Sequence, residues 1–424
     1  MALSDFRLMM ERCSNCSYCK WIPLDKVASK RFAGCCPSVS YFNFNAYSAR
    51  GRFQLSTSLM DGRADYTDTV MDAINGCMTC GACDVSCKIC RFNLEPLEHI
   101  LELKADAVEK GHEAPELKSV IQNLKAEGTM LKGKEKADRA AWAEGLKVKD
   151  LSKEKADVMF FNGCRYSYDE DLWKTPRAAI EILTGAGVDI GIFGKNENCC
   201  AGRAYSMGYR EEWSEAADQN LSAWREAGVK TIVASCADCY SALKRLYAKK
   251  GSEIKVLHTV EYIDRLIKEG RIGFTKEVPL TVAYHDPCHL GRQGEDFVPW
   301  EGKERKIRGQ IAIWDPRRPR YNGAKGVYDA PRDVLASIPG LKLVEMERIR
   351  EYAWCCGAGG GCGEAYPELA AWTAKERIIE AGSAGAEAIV SACPWCENSF
   401  AGAAGEDGAK MQVFDIIELV SRAI

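Results

Sequence analysis

Twenty-one cysteines in 424 residues decide what chemistry this chain can do. They are clustered, not scattered. Cys77, Cys80, Cys83 and Cys87 form C-x2-C-x2-C-x3-C. Cys13, Cys16 and Cys19 form C-x2-C-x2-C, ahead of a Cys36-Pro37 pair. Two-residue steps let one tight loop wrap three thiolates round a cubane, and the fourth cysteine of each run serves the other cluster. On that pattern Cys13, Cys16, Cys19 and Cys87 hold one [4Fe–4S] cluster. Cys77, Cys80, Cys83 and Cys36 hold the other. Zinc prefers paired C-x2-C knuckles and fits three cysteines at two-residue steps followed by x3-C poorly. There are two departures: fifteen residues (20–34) precede Cys35-Cys36, and Lys88 rather than Pro follows Cys87.

The remaining cysteines repeat. One copy runs Cys164, Thr175-Pro-Arg, Cys199-Cys200, Cys236-x2-Cys239. A second runs Cys288, Ala330-Pro-Arg, Cys355-Cys356, Cys393-x2-Cys396. The interval from Pro to the Cys pair is 23 residues in one and 24 in the other; from the pair to C-x2-C it is 36 and 37. Fixed self-similarity of this kind is a duplication. The second copy carries an insertion of about 31 residues near 293–325, holding Trp300, Trp314 and Arg317-Arg-Pro-Arg320. That basic segment reads as a lid or docking loop for an acidic partner or a phosphate-bearing substrate, or as a solvated surface loop. Five thiolates with a vicinal pair exceed the four a cubane uses. They suit an unusual iron–sulfur centre, a zinc site using four of the five, or a redox-active dithiol.

These groups need elements to position them. Apolar runs at Val158, Thr231, Leu280 and Ala388 read as buried strands, each leading into a cysteine segment. Helical stretches follow at 178–185, 211–227 and 368–381. Strands alternating with helices imply parallel α/β units, whose ligands sit beyond the carboxyl ends of the strands. The expected divisions are an α-helical two-cluster ferredoxin domain (1–100), a helical connector (101–155) and two repeated parallel α/β modules (156–275 and 276–424). His99 and His112, in the Lys- and Glu-rich connector context, read as surface residues. Net charge is −3, from 57 Lys and Arg against 60 Asp and Glu. It gives no reason to expect nucleic-acid binding. No apolar run approaches a membrane span and no leader pattern opens the chain, so a cytoplasmic location with reduced thiols is expected.

Cys355-Cys356-Gly357-Ala-Gly-Gly-Gly and His285-Asp-Pro-Cys288-His289-Leu-Gly-Arg resemble the cysteine-rich CCG domains of heterodisulfide reductase. The whole chain resembles the fused D-type subunit of that enzyme. It is also similar to the electron-transfer component of class II benzoyl-CoA reductase and the iron–sulfur subunit of glycolate oxidase. The resemblance implies a noncubane [4Fe–4S] cluster in one or both modules beside the two cubanes, bound by Cys164, Cys199, Cys200, Cys236 and Cys239 and by Cys288, Cys355, Cys356, Cys393 and Cys396. Zinc in one module is the alternative. Copy one reads Cys200-Ala201-Gly202 where C-C-G is expected. His285 and His289 flank Cys288 and are the expected catalytic groups, donating protons or orienting a thiolate. Gly357, Gly359, Gly360 and Gly361 would leave room for a substrate or a cluster sulfur to approach the backbone. No flavin or nicotinamide fingerprint is present, so electrons come from other subunits of a redox complex, flavin- or iron–sulfur-containing. Three readings stand: a reductase acting on a disulfide, a pure relay for a partner enzyme, and a zinc-and-cubane assembly protein. Cys35, Cys90 and Cys362 stay unassigned.

Overall fold

The computed structural model describes residues 2–88, 94–296, 300–307, 311–317, 319–405 and 411–424. Strands β1 (Lys149–Asp150), β2 (Val158–Phe161), β3 (Ile190–Ile192), β4 (Thr231–Ala234) and β5 (Lys255–His258) form one parallel sheet in the order β1-β3-β2-β4-β5. Then come β6 (Thr281–Tyr284), the antiparallel pair β7 (Lys303–Ile307) and β8 (Ile311–Asp315), β9 (Lys342–Val344), β10 (Ala388–Ser391) and β11 (Gln412–Asp415). The second sheet is parallel, in the order β11-β10-β6-β9. Stripped of β1, the first sheet reads β3-β2-β4-β5, the same topology strand for strand. The duplication seen in cysteine spacing is thus a duplication of fold. Val-Met-Phe-Phe in β2 and Ala-Ile-Val-Ser in β10 are buried throughout, as strands covered on both faces must be. Helices Lys174–Gly185, Arg210–Ala227 and Pro367–Ser383 lie where the periodicity predicts them.

The modules embrace through equivalent helices. Helix Thr259–Lys268, after β5, lies on Asp329–Ser337, before β9; helix Ile416–Ala423, after β11, lies on Lys174–Gly185, before β3. That reciprocity is a pseudo-two-fold axis, and one apolar core runs through both sheets. The caps match as well. His258 accepts from Val260 N–H at 3.2 Å and Asp415 from Ile417 N–H at 2.8 Å, each completed by a glutamate three residues on. His258 is therefore a capping residue.

The N-terminal region is helical, with Ala49–Met60, Asp68–Asn75, Ala82–Cys87 and Pro96–Glu109 as its main segments. Its core corrects one expectation. His99 is fully buried, edge-on to Phe6 and Phe53, and bonded to Ser56 Oγ at 2.8 Å. Flanking charges suggested a wet face, but apolar groups distant in sequence cover it. His112 is exposed. The stretch 101–155 does more than connect. Helix Pro115–Glu127 and Trp142 join the core of the modules, and β1 extends the first sheet. The inserted segment of the second copy forms the β7–β8 hairpin, with Ile307 and Ile313 exposed.

Candidate metal centre

Each module places its cysteines beyond the carboxyl ends of its strands. Cys164 and Cys236 follow β2 and β4; Cys288 and Cys393 follow β6 and β10; the vicinal pairs lie on the turns after β3 and β9. All ten are buried. They form an unbroken succession of thiol–thiol contacts. Cys164 meets Cys199, which meets Cys200. Cys200 lies 3.4 Å from Cys239, which meets Cys236. Cys236 crosses to Cys393 of the other module. Cys393 meets Cys396, Cys396 meets Cys356, and Cys356 meets Cys355. Cys355 touches both Cys288 and Cys80 of the N-terminal region.

The N-terminal cysteines fall into two neighbourhoods. Cys36, Cys77, Cys80 and Cys83 face one another. Cys13 and Cys16 face Cys19, and Cys87 shares a small apolar cluster with Cys13. Cys35, buried between them, donates to the Cys19 carbonyl at 3.4 Å. Cys362 donates to the Asn75 carbonyl at 3.5 Å. Cys90 lies outside the described residues.

This donor set suits iron–sulfur clusters. Burial alone raises a thiol pKa, yet contacts from Cys199 and Cys239 pull Cys200 down to about 5. Cys393, against the burial that would raise it, is brought to about 5 by Cys236 and Cys396. Their neighbours Cys236, Cys239 and Cys396 are pushed up in turn. Crowded thiols thus shift one another in both directions, and a metal bound here would take every ligating sulfur as thiolate. His285 adds a nitrogen, and one ligand atom each from His285, Cys356 and Cys396 lie within 4.8 Å of one another. Its Nδ1 accepts from Arg377 Nε at 3.1 Å, and among the described residues Nε2 has no partner. Burial and Arg377 hold the ring neutral, so Nε2 carries the hydrogen. It is a donor suited to sulfur rather than a metal ligand.

His289 stands on the seam between modules. Its Nδ1 is 2.7 Å from Asp238 Oδ1 and 3.5 Å from Cys288 Sγ. Against the burial that would lower it, Asp238 and Cys288 raise its pKa well above the usual value and so favour the protonated ring. The Cys355 contact and His289 bring Cys288 down to about 7. On the opposite side of the pseudo-two-fold, Arg165 and Arg203 of the first module lie over Trp395 of the second, at 5.3 and 3.7 Å. His289, Asp238, Arg203, Arg245 and Gly360 line a crevice.

Several residues here escape sequence reasoning. Asp238 sits inside C-A-D-C, where spacing directs attention to the cysteines. Arg139 donates to Cys164 Sγ at 3.5 Å and to Glu197 Oε1 at 2.8 Å, although it comes from the stretch read as a helical connector. The glycine run meets the N-terminal region closely. A Cβ on Gly359 would stand 2.4 Å from the Met78 carbonyl oxygen, and one on Gly360 2.3 Å from that of Cys77. N-terminal backbone takes the side-chain positions of these two glycines, which also line the crevice.

The cysteine-rich CCG domain family matches residues 158–244 and 318–401. The second match begins beyond β6, Cys288 and both histidines, which the insertion separates from the rest of their module. Over 98% of its length the chain is 30% identical to the D-type subunit of the dihydromethanophenazine:CoB–CoM heterodisulfide reductase of Methanosarcina mazei, covering 94% of that protein. It is 26% identical to the EtfAB:quinone oxidoreductase of Syntrophomonas wolfei, over 84% of this chain and 47% of that one. It is 28% identical to a probable iron–sulfur-binding oxidoreductase of Bacillus subtilis, over 83% of this chain and 47% of the relative. Among the described residues no helix is long and apolar enough to cross a membrane.

Proposed function

This chain belongs to the family of D-type heterodisulfide reductase subunits and is an iron–sulfur redox subunit; from that premise we propose that it carries electrons between two cubane clusters and two noncubane clusters and delivers them to a disulfide. The observation that supports this is the unbroken file of thiol contacts from Cys164 to Cys80. In this reading Cys13, Cys16, Cys19 and Cys87 hold one cubane, and Cys36, Cys77, Cys80 and Cys83 the other, in a ferredoxin-like domain. The five cysteines of each CCG module hold a noncubane cluster. When bound, the clusters supply one-electron transfer.

The protein's own groups do the rest. The contact between Cys80 and Cys355 sets the second module next to the N-terminal cysteines, and that between Cys236 and Cys393 sets the modules against each other. Reducing a disulfide to two thiols breaks one S–S bond and takes up two electrons and two protons. His289, kept cationic by Asp238, holds a proton on the wall of the crevice. His285 offers its Nε2–H to sulfur near Cys356 and Cys396. The electrons come from a flavin- or iron–sulfur-containing partner subunit.

Iron and acid-labile sulfide are to be counted in anaerobically purified protein. The expected content is about sixteen irons per chain, four clusters of four. About eight irons with zinc would leave the CCG modules redox-silent and sink the proposal. The reduced protein is then mixed with a small disulfide such as cystine. Oxidation with release of thiol supports the reductase reading; no reaction in a fully loaded chain favours a pure relay.

A further inference from the structure

Among the described residues, eight lysine and arginine side chains are buried: Arg52, Lys88, Lys104, Arg139, Arg203, Arg292, Arg348 and Arg377. Five of them meet a carboxylate, as Arg139 meets Glu197 and Arg377 meets Glu380. Among the described residues Arg52, Lys104 and Arg292 do not; they donate to backbone carbonyls. A buried cation without an anion is costly. Each of these three faces cysteines: Arg52 faces Cys36, Lys104 faces Cys77 and Cys362, and Arg292 faces Cys80, Cys288 and Cys355.

Two of them share one seam. Lys104 Nζ donates to the Cys77 carbonyl at 3.2 Å and, across the seam, to that of Gly360 at 2.8 Å. Arg292 Nε donates to the Cys80 carbonyl at 2.9 Å, and its Nη1 to the carbonyls of Glu351 and Ala353. Among the described residues Arg292 Nη2 is buried without a partner. Gln293 completes the clamp on the Cys77–Cys80 loop by donating to the Thr79 carbonyl at 2.9 Å. Carbonyl partners fix both cations in place and leave their charge uncancelled. Hydrogen bonds and net charge around the sulfurs set a cluster's potential, and in a low-dielectric interior one fixed charge acts strongly.

We propose that Lys104 and Arg292 are fixed counter-charges that raise the reduction potential of the centre held by Cys36, Cys77, Cys80 and Cys83, and that Arg292, reaching both sides of the seam, also raises that of the centre held by Cys288 and Cys355. The inference rests on the cluster reading above. Each one-electron reduction, supplied by the partner subunit, adds one negative charge at the seam. These side chains stabilise it there, so electrons dwell where the N-terminal region meets the second module. Both are positioning residues for electrons and need not touch substrate.

The test is an EPR-monitored redox titration of the full chain, after its iron has been counted. Arg292→Gln is expected to lower two midpoints, each by at least tenfold in the one-electron equilibrium, about 59 mV. Lys104→Met is expected to lower the N-terminal midpoint alone. Arg292→Lys should recover most of the shift. Wild-type midpoints in iron-replete Arg292→Gln and Lys104→Met overturn the inference, whatever happens to turnover. If Arg292→Gln loses iron, Lys104→Met and Arg292→Lys decide. A wild-type chain without iron defeats the cluster reading itself, and this inference with it, before any titration begins.

Discussion

The two CCG modules share strand order, five cysteines and helix caps, yet their thiols have different company. Cys164 of the first lies under Arg139, which Glu197 neutralises. Glu197 also accepts from the backbone N–H groups of Asn162 and Gly163, both at 3.1 Å. In the second module the residue after β6 is His285, where the first has Asn162 after β2. Its vicinal pair reaches out to Cys80, and its flanking cation, Arg292, meets no carboxylate among the described residues. One module is closed by a neutral pair; the other is open to the N-terminal region and carries spare positive charge. Duplication supplied two copies of one scaffold, and the residues beside the cysteines made one of them the junction.

The strongest way to break this comparison is to cut the junction. Cys355→Ser should cost about four irons, one cluster, and abolish magnetic coupling between the N-terminal centres and the modules. Cys199→Ser, its counterpart, should cost a similar amount of iron and leave that coupling intact. Iron analysis with low-temperature EPR of the reduced proteins reads both. Equal loss of coupling in the two variants would refute the asymmetry.

A second comparison lies across the pseudo-two-fold. The residue after the first cysteine of each module reaches the middle of the partner's C-x2-C: His289 reaches Asp238, and Arg165 reaches Trp395. One contact is an ion pair and the other cation–π. Removing one partner of a buried pair strands the other charge, so Asp238→Asn should cost about 3 kcal/mol. The loss should appear as a lower thermal unfolding midpoint. A variant as stable as wild type would mean that His289 is neutral.

What the sequence disclosed follows a physical line. Spacings between cysteines survive folding because each is the length of a strand or helix with its turn, so the duplication and the parallel strands were legible. Burial by distant partners was not. Lys104 and His99 lie in a Lys- and Glu-rich helix, and nothing local distinguishes them from solvated neighbours. Phe53 covers one, and the Gly360 backbone meets the other. Arg292 follows Cys288 by four residues, but its role depends on Cys80, 212 residues away. The glycines of 357–361 announced close approach correctly and concealed what approaches.

The caps offer a comparison of opposite sign. Burial lowers His258 to about 3 and raises Asp415 to about 8. For His258 the unfolded chain takes its proton first. That stability is present above the usual histidine pKa and is lost as pH falls toward 3. For Asp415 the unfolded chain loses its proton first. That stability is present below the usual carboxyl pKa and is lost as pH rises toward 8. Asparagine caps helices as aspartate does. Asp415→Asn should therefore gain stability over wild type at pH 8 and lose that gain near pH 4. His258→Asn should gain over wild type only in acid. Melting curves at the two pH values that show parallel shifts in both variants would remove the titration argument and leave capping alone.

The smallest effect tests the cation–π half of the seam. Arg203 is held by Glu364 through two contacts of 2.7 and 2.8 Å, so its guanidinium stays in place whatever lies beneath it. Trp395→Leu keeps apolar bulk and removes the ring face. It should cost about 1 kcal/mol, the scale of a partly desolvated cation–π contact. Trp395→Phe, retaining a smaller π face, should cost less. If leucine and phenylalanine are equivalent, the tryptophan acts by volume alone. The ion pair at Asp238 would then be the only electrostatic link in this pseudo-symmetric pair.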